Sequence, residues 1–322
     1  MITVLCANAG VDKTYEVANF AVGGYYHPST ASTTGGGKGI NVARVLHALG
    51  QPHLLTGFAG GNNGRFIARD LIDDGIRADF VAIAEESRVT INIIDRTQRT
   101  QTRVDEVGPL VTPTELQRLR DAWHKHLERS ALAVIAGSAP RGVNLEIYAE
   151  LVEVAGSLSV PVIVDAHDEL LARALAARPT VISPNLAELQ RLVGRQLSVP
   201  DGVLRAGTDL LDDGIGVVLV TLGARGGICL TRSKGVWWGK PPSIERVSSV
   251  GSGDAFVAGF ATASLLRRSI AERLRLAVAC GAANAETFGA GNVTAQRVQE
   301  LAAQVTVERI GGDGDEPGGD EQ

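Results

Sequence analysis

The sequence predicts an α/β fold in which a doubly wound, mostly parallel sheet is flanked by helices and carries a small β-sheet lid. Short aliphatic runs alternate with amphipathic stretches from about residue 108 onward, and two earlier segments show the period-two alternation of strands. The composition combines 44% hydrophobic residues with only 4% aromatic residues and 38 glycines. Such a balance is typical of aliphatic packing with many tight turns between strands and helices.

Four aliphatic runs predict the buried parallel strands of the main sheet. They are ALAVIAG from residue 131, VPVIVDA from 160, PTVIS from 179 and IGVVLVT from 215. Helical patterns lie between the runs; the pattern over 113–130 begins with Thr112 as N-cap and Pro113 in the first turn. Repeated βαβ units imply right-handed crossovers and a doubly wound sheet.

The segments 11–34 and 86–106 predict the lid. Both are rich in Thr, Val, Ile and Tyr, alternate with period two and lack a helical stripe, so antiparallel strands fit them best. We expect them to form one small sheet over a ligand cleft, within a single domain spanning 1–310. The last residues, 311–322, combine glycine with acidic residues and predict a disordered tail.

Charge and cysteine content exclude several classes of protein. The formal net charge is -5 and no segment carries a cluster of basic residues, which argues against nucleic acid as a partner. Cys6, Cys229 and Cys280 are far apart and lack CxxC spacing, so they predict buried thiols in a reducing compartment. The apolar start MITVLCANAG lacks a basic flank and is soon interrupted by Asn8, unlike a signal peptide or membrane span. We therefore expect a cytoplasmic protein without a membrane partner.

The strongest chemical signal is VGSGDAFVAGF, over Val250–Phe260, where a glycine-rich turn runs into an apolar helix. Backbone N–H groups of Gly251, Ser252 and Gly253 at a helix N-terminus can hold a phosphate group. Asp254 then falls in the first helical turn, where a carboxylate can accept the proton of an attacking hydroxyl. The alternative is that Asp254 only complements the helix dipole.

A second signal is TTGGGKGINVARVLHALG, over Thr33–Gly50, which joins three glycines to a lysine and a helix that carries Asn41 near its start. It is not a Walker A loop, because Ile40 stands where that motif requires Ser or Thr. Glycines that allow close backbone approach, with a cation and an amide, suit sugar hydroxyls or a sugar phosphate. Lys38 is one of only five lysines, although a solvated lysine in a bare glycine turn remains the alternative.

These two stretches, in this order, resemble the signatures of the ribokinase-like (PfkB) carbohydrate kinase family, and within it the 1-phosphofructokinase and tagatose-6-phosphate kinase branch. The resemblance extends from Asn8 to about Val298. It implies a ribokinase-like fold with a β lid, ATP and Mg²⁺ as cofactors, and a sugar or sugar phosphate as substrate. It assigns Asp254 as the base and Gly251, Ser252 and Gly253 as the anion hole. The residues that it places at the sugar are Asp12, Gly36, Gly37, Lys38, Asn41 and, in the turn that lines the sugar side, Ser138.

The same resemblance assigns the nucleotide side of the site. PNLAE is similar to the family's NxxE motif, so Asn185 and Glu188 are expected to order Mg²⁺ and the triphosphate through water, with Glu188 toward the metal. For Asn185 a helix N-cap is an alternative that is compatible with this role. TLGARGG resembles the nucleotide loop. The remaining nucleotide assignments are Thr221, Gly223 and Gly226 near the ribose and phosphates, and Asn284 in a helix that flanks the adenine.

Arg88, in ESRVTINI, matches the arginine of the branch's lid motif, which would grip the existing phosphate of the substrate. The planar fork of an arginine suits that task because it pairs with two phosphate oxygens. Arg103 is a second candidate. A solvated arginine on a lid strand is the alternative for both, and it is the favoured one for Arg103.

Several departures from the family pattern leave the substrate open. Ser183 replaces the lysine of Lys-Pro-Asn, which removes one cation near the ATP phosphates. On the sugar side, NAGVD replaces NPALD and VDEVGP replaces INEPGP. Ala139 and Arg141 alter the turn around Ser138. Neither the sugar, nor the hydroxyl that is phosphorylated, nor the preferred nucleotide, nor activation by monovalent cations follows from these residues.

The predicted function is therefore ATP-dependent phosphorylation of a hydroxyl of a sugar phosphate. A kinase of an unphosphorylated sugar or nucleoside, and a non-catalytic sugar-phosphate or nucleotide-binding protein, remain alternatives. An NAD-dependent oxidoreductase fits poorly, because neither glycine turn is a GxGxxG that follows a strand with an acid about 20 residues on. Since open edges of a lid sheet are usually covered in proteins, we also expect a homodimer through the β lid.

Overall fold

The computed structural model describes residues 1–311. The helices of this part are α1 (Lys38–Ala48), α2 (Gly61–Asp73), α3 (Pro113–Leu127), α4 (Ile147–Ser157), α5 (Asp168–Ala174), α6 (Leu186–Val193), α7 (Asp201–Asp212), α8 (Ser252–Leu265), α9 (Ile270–Ala285) and α10 (Ala295–Ala302). The strands are β1 (Ile2–Cys6), β2 (Gly10–Glu16), β3 (Thr30–Gly36), β4 (His53–Gly60), β5 (Ala78–Ile83), β6 (Arg88–Asp95), β7 (Thr100–Asp105), β8 (Leu132–Ala136), β9 (Val162–Asp165), β10 (Val181–Ile182), β11 (Val217–Thr221), β12 (Gly227–Thr231), β13 (Gly235–Lys240) and β14 (Thr306–Gly311).

The main sheet has the strand order β14-β13-β12-β11-β10-β9-β8-β1-β4-β5. Seven neighbouring strands of this sheet run parallel, namely β5, β4, β1, β8, β9, β10 and β11. The strands β12, β13 and β14 extend the sheet as antiparallel neighbours. Successive side chains of β1, such as Val4 and Leu5, point to opposite faces of the sheet and belong to two separate hydrophobic cores. Helices therefore cover both faces. The predicted doubly wound α/β fold is confirmed.

The four aliphatic runs form β8, β9, β10 and β11, as predicted. The predicted helix after Pro113 is α3, and Thr112 is its N-cap. The Thr112 hydroxyl accepts a hydrogen bond from the Glu115 N–H, and the Glu115 carboxylate accepts one from the Thr112 N–H. This reciprocal capping box satisfies two backbone donors that the helix itself leaves without partners.

A small separate sheet, with the order β3-β2-β6-β7, is built from the two segments predicted as the lid. The pairs β2–β3 and β6–β7 are antiparallel as expected, but the central pair β2–β6 is parallel. Period-two alternation cannot reveal this direction, because β2 and β6 come from distant segments that no hairpin joins. β7 is one edge of this sheet, and all six of its residues are exposed.

Cys6, Cys229 and Cys280 are buried, as predicted, and burial raises the pKa of the Cys229 thiol to about 12. Gly311, which the sequence placed in the acidic tail, is the last residue of β14; residues 312–322 of that tail lie outside the described residues. Within residues 1–311, no helix has the length and apolar character needed to cross a lipid bilayer.

Candidate active site

A cavity of about 1120 Å³ lies between the carboxyl ends of the parallel strands and the small sheet. This edge of an open parallel sheet is where α/β proteins bind their ligands. Within the described part of the chain, the predicted site residues that line this cavity are Asp12, Gly37, Lys38, Asn41, Arg88, Arg103, Ser138, Asn185, Glu188, Thr221, Gly223, Gly226, Gly251, Ser252, Gly253 and Asp254. Gly36 and Asn284 are not among the lining residues.

Asp254 lies in the first turn of α8 and is only 5% exposed. The Asn41 side-chain amide, from α1, donates a hydrogen bond of 2.8 Å to Asp254 Oδ2. Lys38 Nζ lies 3.3 Å from the other carboxylate oxygen, Oδ1. The carboxylate is thus oriented by a separate helix, which a role in complementing the dipole of α8 would not require.

The glycine turn before α8 leaves room for an anion. Gly251 has a φ of +80°, a left-handed conformation, and a Cβ there would lie 2.7 Å from the Ala290 Cβ. A Cβ on Gly253 would meet no atom of residues 1–311 within 4 Å, so the space above this glycine is open. The first N–H groups of a helix have no intrahelical acceptor and attract phosphate. The turn therefore fits a phosphate group.

Asp165 also belongs to the site, although no sequence signal singled it out. It is the last residue of β9, is 3% exposed, and its Oδ2 lies 3.0 Å from Lys38 Nζ. Burial raises the pKa of Asp165 to about 6, with Lys38 opposing the shift and Asp254 adding to it. Burial alone would lower the pKa of Lys38, but the two carboxylates raise it above its ordinary value. A polar residue that ends a parallel strand could have been suspected from its position alone.

Gly36 positions Asp12, which explains why this glycine does not line the cavity. A Cβ on Gly36 would overlap the Asp12 carboxyl group, so only glycine leaves Asp12 its place. Asp12 Oδ1 is buried and lacks a hydrogen-bond partner among the residues that the structure describes. Burial raises the pKa of Asp12, while Arg103 and Arg88 oppose the shift. An unpaired buried oxygen at the cavity wall can accept a hydrogen bond from a ligand hydroxyl.

Arg88 is 8% exposed, so it is not a solvated arginine. Its Nε donates to the Asn8 carbonyl oxygen at 3.0 Å, and its Nη1 donates to Thr90 Oγ1 at 2.8 Å. Arg103 is more open to solvent and pairs with Asp105 at 2.9 Å. The structure thus brings both arginines to the same end of the cavity.

Asn8 is a second residue that sequence reasoning missed. Its side-chain amide donates to Ser138 Oγ at 3.0 Å, while its backbone carbonyl holds Arg88. Its Oδ1 is buried and finds no hydrogen-bond partner in the described chain. Asn8 therefore links the turn around Ser138 to the small sheet. A lone asparagine in a loop carries no pattern that could have revealed this link.

The predicted NxxE pair, which the resemblance assigns to the nucleotide, lines the cavity. Asn185 is the N-cap of α6: its Oδ1 accepts from the Glu188 N–H at 2.9 Å, and Glu188 Oε2 accepts from the Asn185 N–H at 2.8 Å. Thr221 forms an isolated parallel bridge with Asn185. Gly223 and Gly226 both adopt positive φ, and a Cβ on Gly226 would overlap the Gly239 carbonyl.

Asn284 lies behind the site rather than in it. Its side chain donates to the Val250 carbonyl at 2.7 Å and accepts from the Gly291 N–H at 2.8 Å, so it holds the turn that precedes Gly251. Its helix does line the cavity, through Gly281, Ala282 and Ala285. Of the helix predicted to flank the adenine, small residues rather than Asn284 therefore face the cavity.

The donor set on this side suits Mg²⁺ bound together with phosphate. Among residues 1–311, no group of three or more His, Cys, Asp or Glu side chains could hold a metal ion alone. Mg²⁺ keeps several waters and uses one or two carboxylates with substrate phosphates, so it does not require such a group. Glu188 lines the cavity and uses one oxygen in the capping box, which leaves the other for an ion or its water. Ser183, at the position of the missing lysine, is buried.

Comparisons with known proteins agree with this geometry. The model of the pfkB family of carbohydrate kinases matches residues 10–297. The structure is similar to a protein from Thermotoga maritima described as a possible 1-phosphofructokinase, with a TM-score of 0.88 and 29% identity over 96% of this chain and 99% of that chain. It is also similar to phosphofructokinase-2 from Escherichia coli in complex with fructose-6-phosphate, with a TM-score of 0.86 and 26% identity over 94% of this chain and 98% of that chain.

A ribokinase from Arabidopsis thaliana, complexed with ribose and ATP, has a TM-score of 0.76 and 22% identity over 94% of this chain and 98% of that chain, which concerns the fold alone. The predicted ribokinase-like fold and the resemblance to the kinase family are confirmed. The chain therefore belongs to the pfkB family of carbohydrate kinases, and it is a sugar kinase.

Proposed function

We propose that the protein transfers the γ-phosphoryl group of ATP to a hydroxyl of a sugar phosphate, with Asp254 as the general base. One observation carries this proposal: the Asp254 carboxylate lies 2.8 Å from the Asn41 amide, next to the open turn at Gly253. Phosphoryl transfer to an alcohol needs a carboxylate beside the reacting phosphate, where it can take up the hydroxyl proton.

In this proposal, each group of residues has a separate role in an in-line transfer. Asp254 accepts the proton, and the N–H groups at Gly251, Ser252 and Gly253 neutralise charge that develops on the transferred group. Mg²⁺, held through Glu188 and Asn185, would supply positive charge to the phosphate oxygens. The small sheet closes one side of the cavity and so keeps out water, which would otherwise compete as the phosphate acceptor.

A phosphorylated acceptor is supported by Arg88, which presents a buried guanidinium at the cavity wall. Asp12, which also lines the cavity, suits a sugar hydroxyl rather than the phosphate. The Escherichia coli relative is a phosphofructokinase whose structure contains fructose-6-phosphate. The same class of acceptor fits this cavity.

A kinase of an unphosphorylated sugar is the second candidate, and Asp105 favours it. This carboxylate lies 3.3 Å from Arg88 and 2.9 Å from Arg103, so both cations already have an acidic partner. A neutral sugar would leave these ion pairs intact.

Formation of ADP over a panel of acceptors separates these candidates. The panel contains fructose 1-phosphate, fructose 6-phosphate, tagatose 6-phosphate, free fructose, ribose and adenosine. We expect turnover with a sugar phosphate, and Arg88→Ala should raise KM for that acceptor by about 30-fold or more, because a charge-assisted, bidentate contact is lost. The control is Arg96→Ala, since Arg96 pairs with Glu16 in the same sheet outside the lining of the cavity. An unchanged KM in Arg88→Ala contradicts the sugar-phosphate class.

We also propose a homodimer that pairs through the small sheet. β7 is an exposed edge strand, and the side chain of Val104 on it is 58% exposed. An exposed strand edge has unpaired backbone groups that can pair with a strand of another chain. Multi-angle light scattering should give a dimer for the natural chain and a monomer for Val104→Lys. Ile72→Lys, on exposed α2 surface, should remain a dimer, and a monomeric natural chain refutes the proposal.

A further inference from the structure

Arg88 and Arg103 converge on a single carboxylate, that of Asp105. Arg88 Nη1 lies 3.3 Å from Asp105 Oδ1, and Arg103 Nε lies 2.9 Å from Asp105 Oδ2. The Thr90 hydroxyl donates a third contact to Oδ1 at 2.7 Å. Asp105 thus receives donors from both candidate phosphate-binding arginines and from Thr90 of β6, the strand that also carries Arg88.

The charges at this end of the cavity do not by themselves favour a phosphate dianion. Two guanidinium groups, of Arg88 and Arg103, line it together with three carboxylates, of Asp12, Asp105 and Glu106. A phosphate monoester carries a charge of about -1.5 to -2 at neutral pH. Binding of the phosphate would be opposed as long as the Asp105 carboxylate stays beside the arginines, because the two negative groups would lie close together and repel each other.

The position of Asp105 allows its carboxylate to move away from the two arginines. It is the last residue of the edge strand β7, and its side chain is 45% exposed, whereas Arg88 is 8% exposed. The carboxylate can therefore turn to water while the buried guanidinium stays in position. A half-exposed carboxylate whose two oxygens are divided between two arginines is also a weaker partner for each of them than a phosphate with several oxygens.

On the basis of the proposed function, we infer that Asp105 is a specificity-determining residue: an internal counter-ion that occupies Arg88 and Arg103 until the acceptor's phosphate displaces it. Displacement of the Asp105 carboxylate costs an acceptor with a dianionic phosphate part of its binding free energy, whereas an unphosphorylated sugar leaves the carboxylate in place. Asp105 therefore sets the affinity for phosphorylated acceptors without contributing to the binding of ATP.

Asp105→Asn tests this inference, because asparagine keeps the size of the side chain and an acceptor for Thr90 but removes the negative charge. We expect KM for the sugar phosphate, and Kd by isothermal titration calorimetry, to fall by about fivefold to tenfold. KM for ATP and for free fructose should stay unchanged. The matched control is Glu16→Gln, which removes one carboxylate paired with an arginine, 3.1 Å away, in the same sheet. This control should leave KM for the sugar phosphate as it is.

A combined variant identifies the arginines as the mediators: in a background with both Arg88→Ala and Arg103→Ala, Asp105→Asn should change KM for the sugar phosphate by less than about twofold. An unchanged or higher KM for the sugar phosphate in folded Asp105→Asn overturns the inference, and Asp105→Ser repeats the test if asparagine impairs folding. Failure of the proposed function would give a different result: none of the sugar phosphates in the panel would support ATP consumption by the natural chain. In that case a gain of sugar-phosphate binding in Asp105→Asn still supports the counter-ion role, and no binding in either chain refutes it.

Discussion

Asp165 and Asp254 bind the same ammonium group, with Lys38 Nζ lying 3.0 Å from the first carboxylate and 3.3 Å from the second. Two carboxylates thus share one cation in a largely buried setting, and the Asn41 amide adds a neutral donor to Asp254 alone. Asp165 pairs with the lysine and so helps to hold Lys38 beside Asp254. The arrangement suits a proton acceptor next to a cation that can contact a phosphate oxygen.

The proposed role of Asp254 as the general base predicts a loss of turnover with little loss of binding. In Asp254→Asn we expect kcat to fall by about 10²- to 10⁴-fold, since a general base contributes a factor of this size. KM for ATP and for the acceptor should change by less than about fivefold, because asparagine preserves the shape of the site. Steady-state assays of ADP formation measure both constants, and Asp212→Asn, an exposed change on α7, is the control. A kcat within tenfold of the natural chain would exclude Asp254 as the base.

The raised pKa of Asp165 predicts a pH dependence of stability. Its pKa is about 6 in the folded chain, against about 4 for an ordinary aspartate. Between these values the folded state binds the proton and the unfolded state does not, so this group makes the fold less stable as the pH rises from about 4 to about 6. In Asp165→Asn this contribution disappears. The Tm of the variant relative to the natural chain should therefore rise across that window, by on the order of 2 to 4 °C, and stay level above it.

Thermal unfolding from pH 4.5 to pH 8 measures this difference, with Asp212→Asn as the control for removal of one surface charge. If the Tm difference between Asp165→Asn and the natural chain does not change with pH, the carboxyl group of Asp165 is not destabilised by its burial.

Local motifs were sufficient to predict four strands of the main sheet, the two segments of the small sheet and the capped helix α3, because hydrophobic periodicity and capping residues act within a short stretch of chain. They also marked the two glycine turns at the cavity. Relationships between distant segments were not predictable in this way. Asp165 reaches Lys38 only because β9 and the start of α1 meet at one edge of the sheet. The departure VDEVGP was visible in the sequence, but the contact of Asp105 with two arginines depends on the pairing of β6 with β7. Likewise, nothing local indicates that Asn284 holds a turn 34 residues away.

The contact between Gly36 and Asp12 predicts a defect confined to the acceptor side. A methyl group at position 36 would overlap the Asp12 carboxyl group and displace it. In Gly36→Ala we expect KM for the acceptor to rise about tenfold or more, with KM for ATP unchanged, because a small misplacement of a binding group is costly. Gly156→Ala is the control: a Cβ there meets no described atom within 4 Å, and α4 tolerates alanine. Equal effects on both substrates would show a general loss of structure instead.

Arg44 and Asp70 hold the start of the glycine loop from the side opposite the cavity. Asp70 Oδ2 accepts from the Gly35 N–H at 2.8 Å, Arg44 Nη1 donates to the Gly35 carbonyl at 2.7 Å, and the two side chains pair at 2.6 Å. Both polar groups of one glycine are thus fixed where β3 of the small sheet leads into α1. Without Asp70, the loop should sample more conformations and bind the acceptor less well.

Asp70→Ala should therefore raise KM for the acceptor by about threefold to tenfold, leave KM for ATP within about twofold, and lower the Tm. The reason is that the variant loses both a partly buried ion pair with Arg44 and the carboxylate that accepts from the Gly35 N–H. Asp73→Ala is the matched control on the same helix, since Asp73 is largely exposed and makes only a 4.0 Å ion pair with Arg69. Steady-state kinetics and thermal unfolding of the two variants decide the matter. If Asp70→Ala lowers the Tm but leaves KM for the acceptor unchanged, the pair stabilises the fold without positioning the glycine loop.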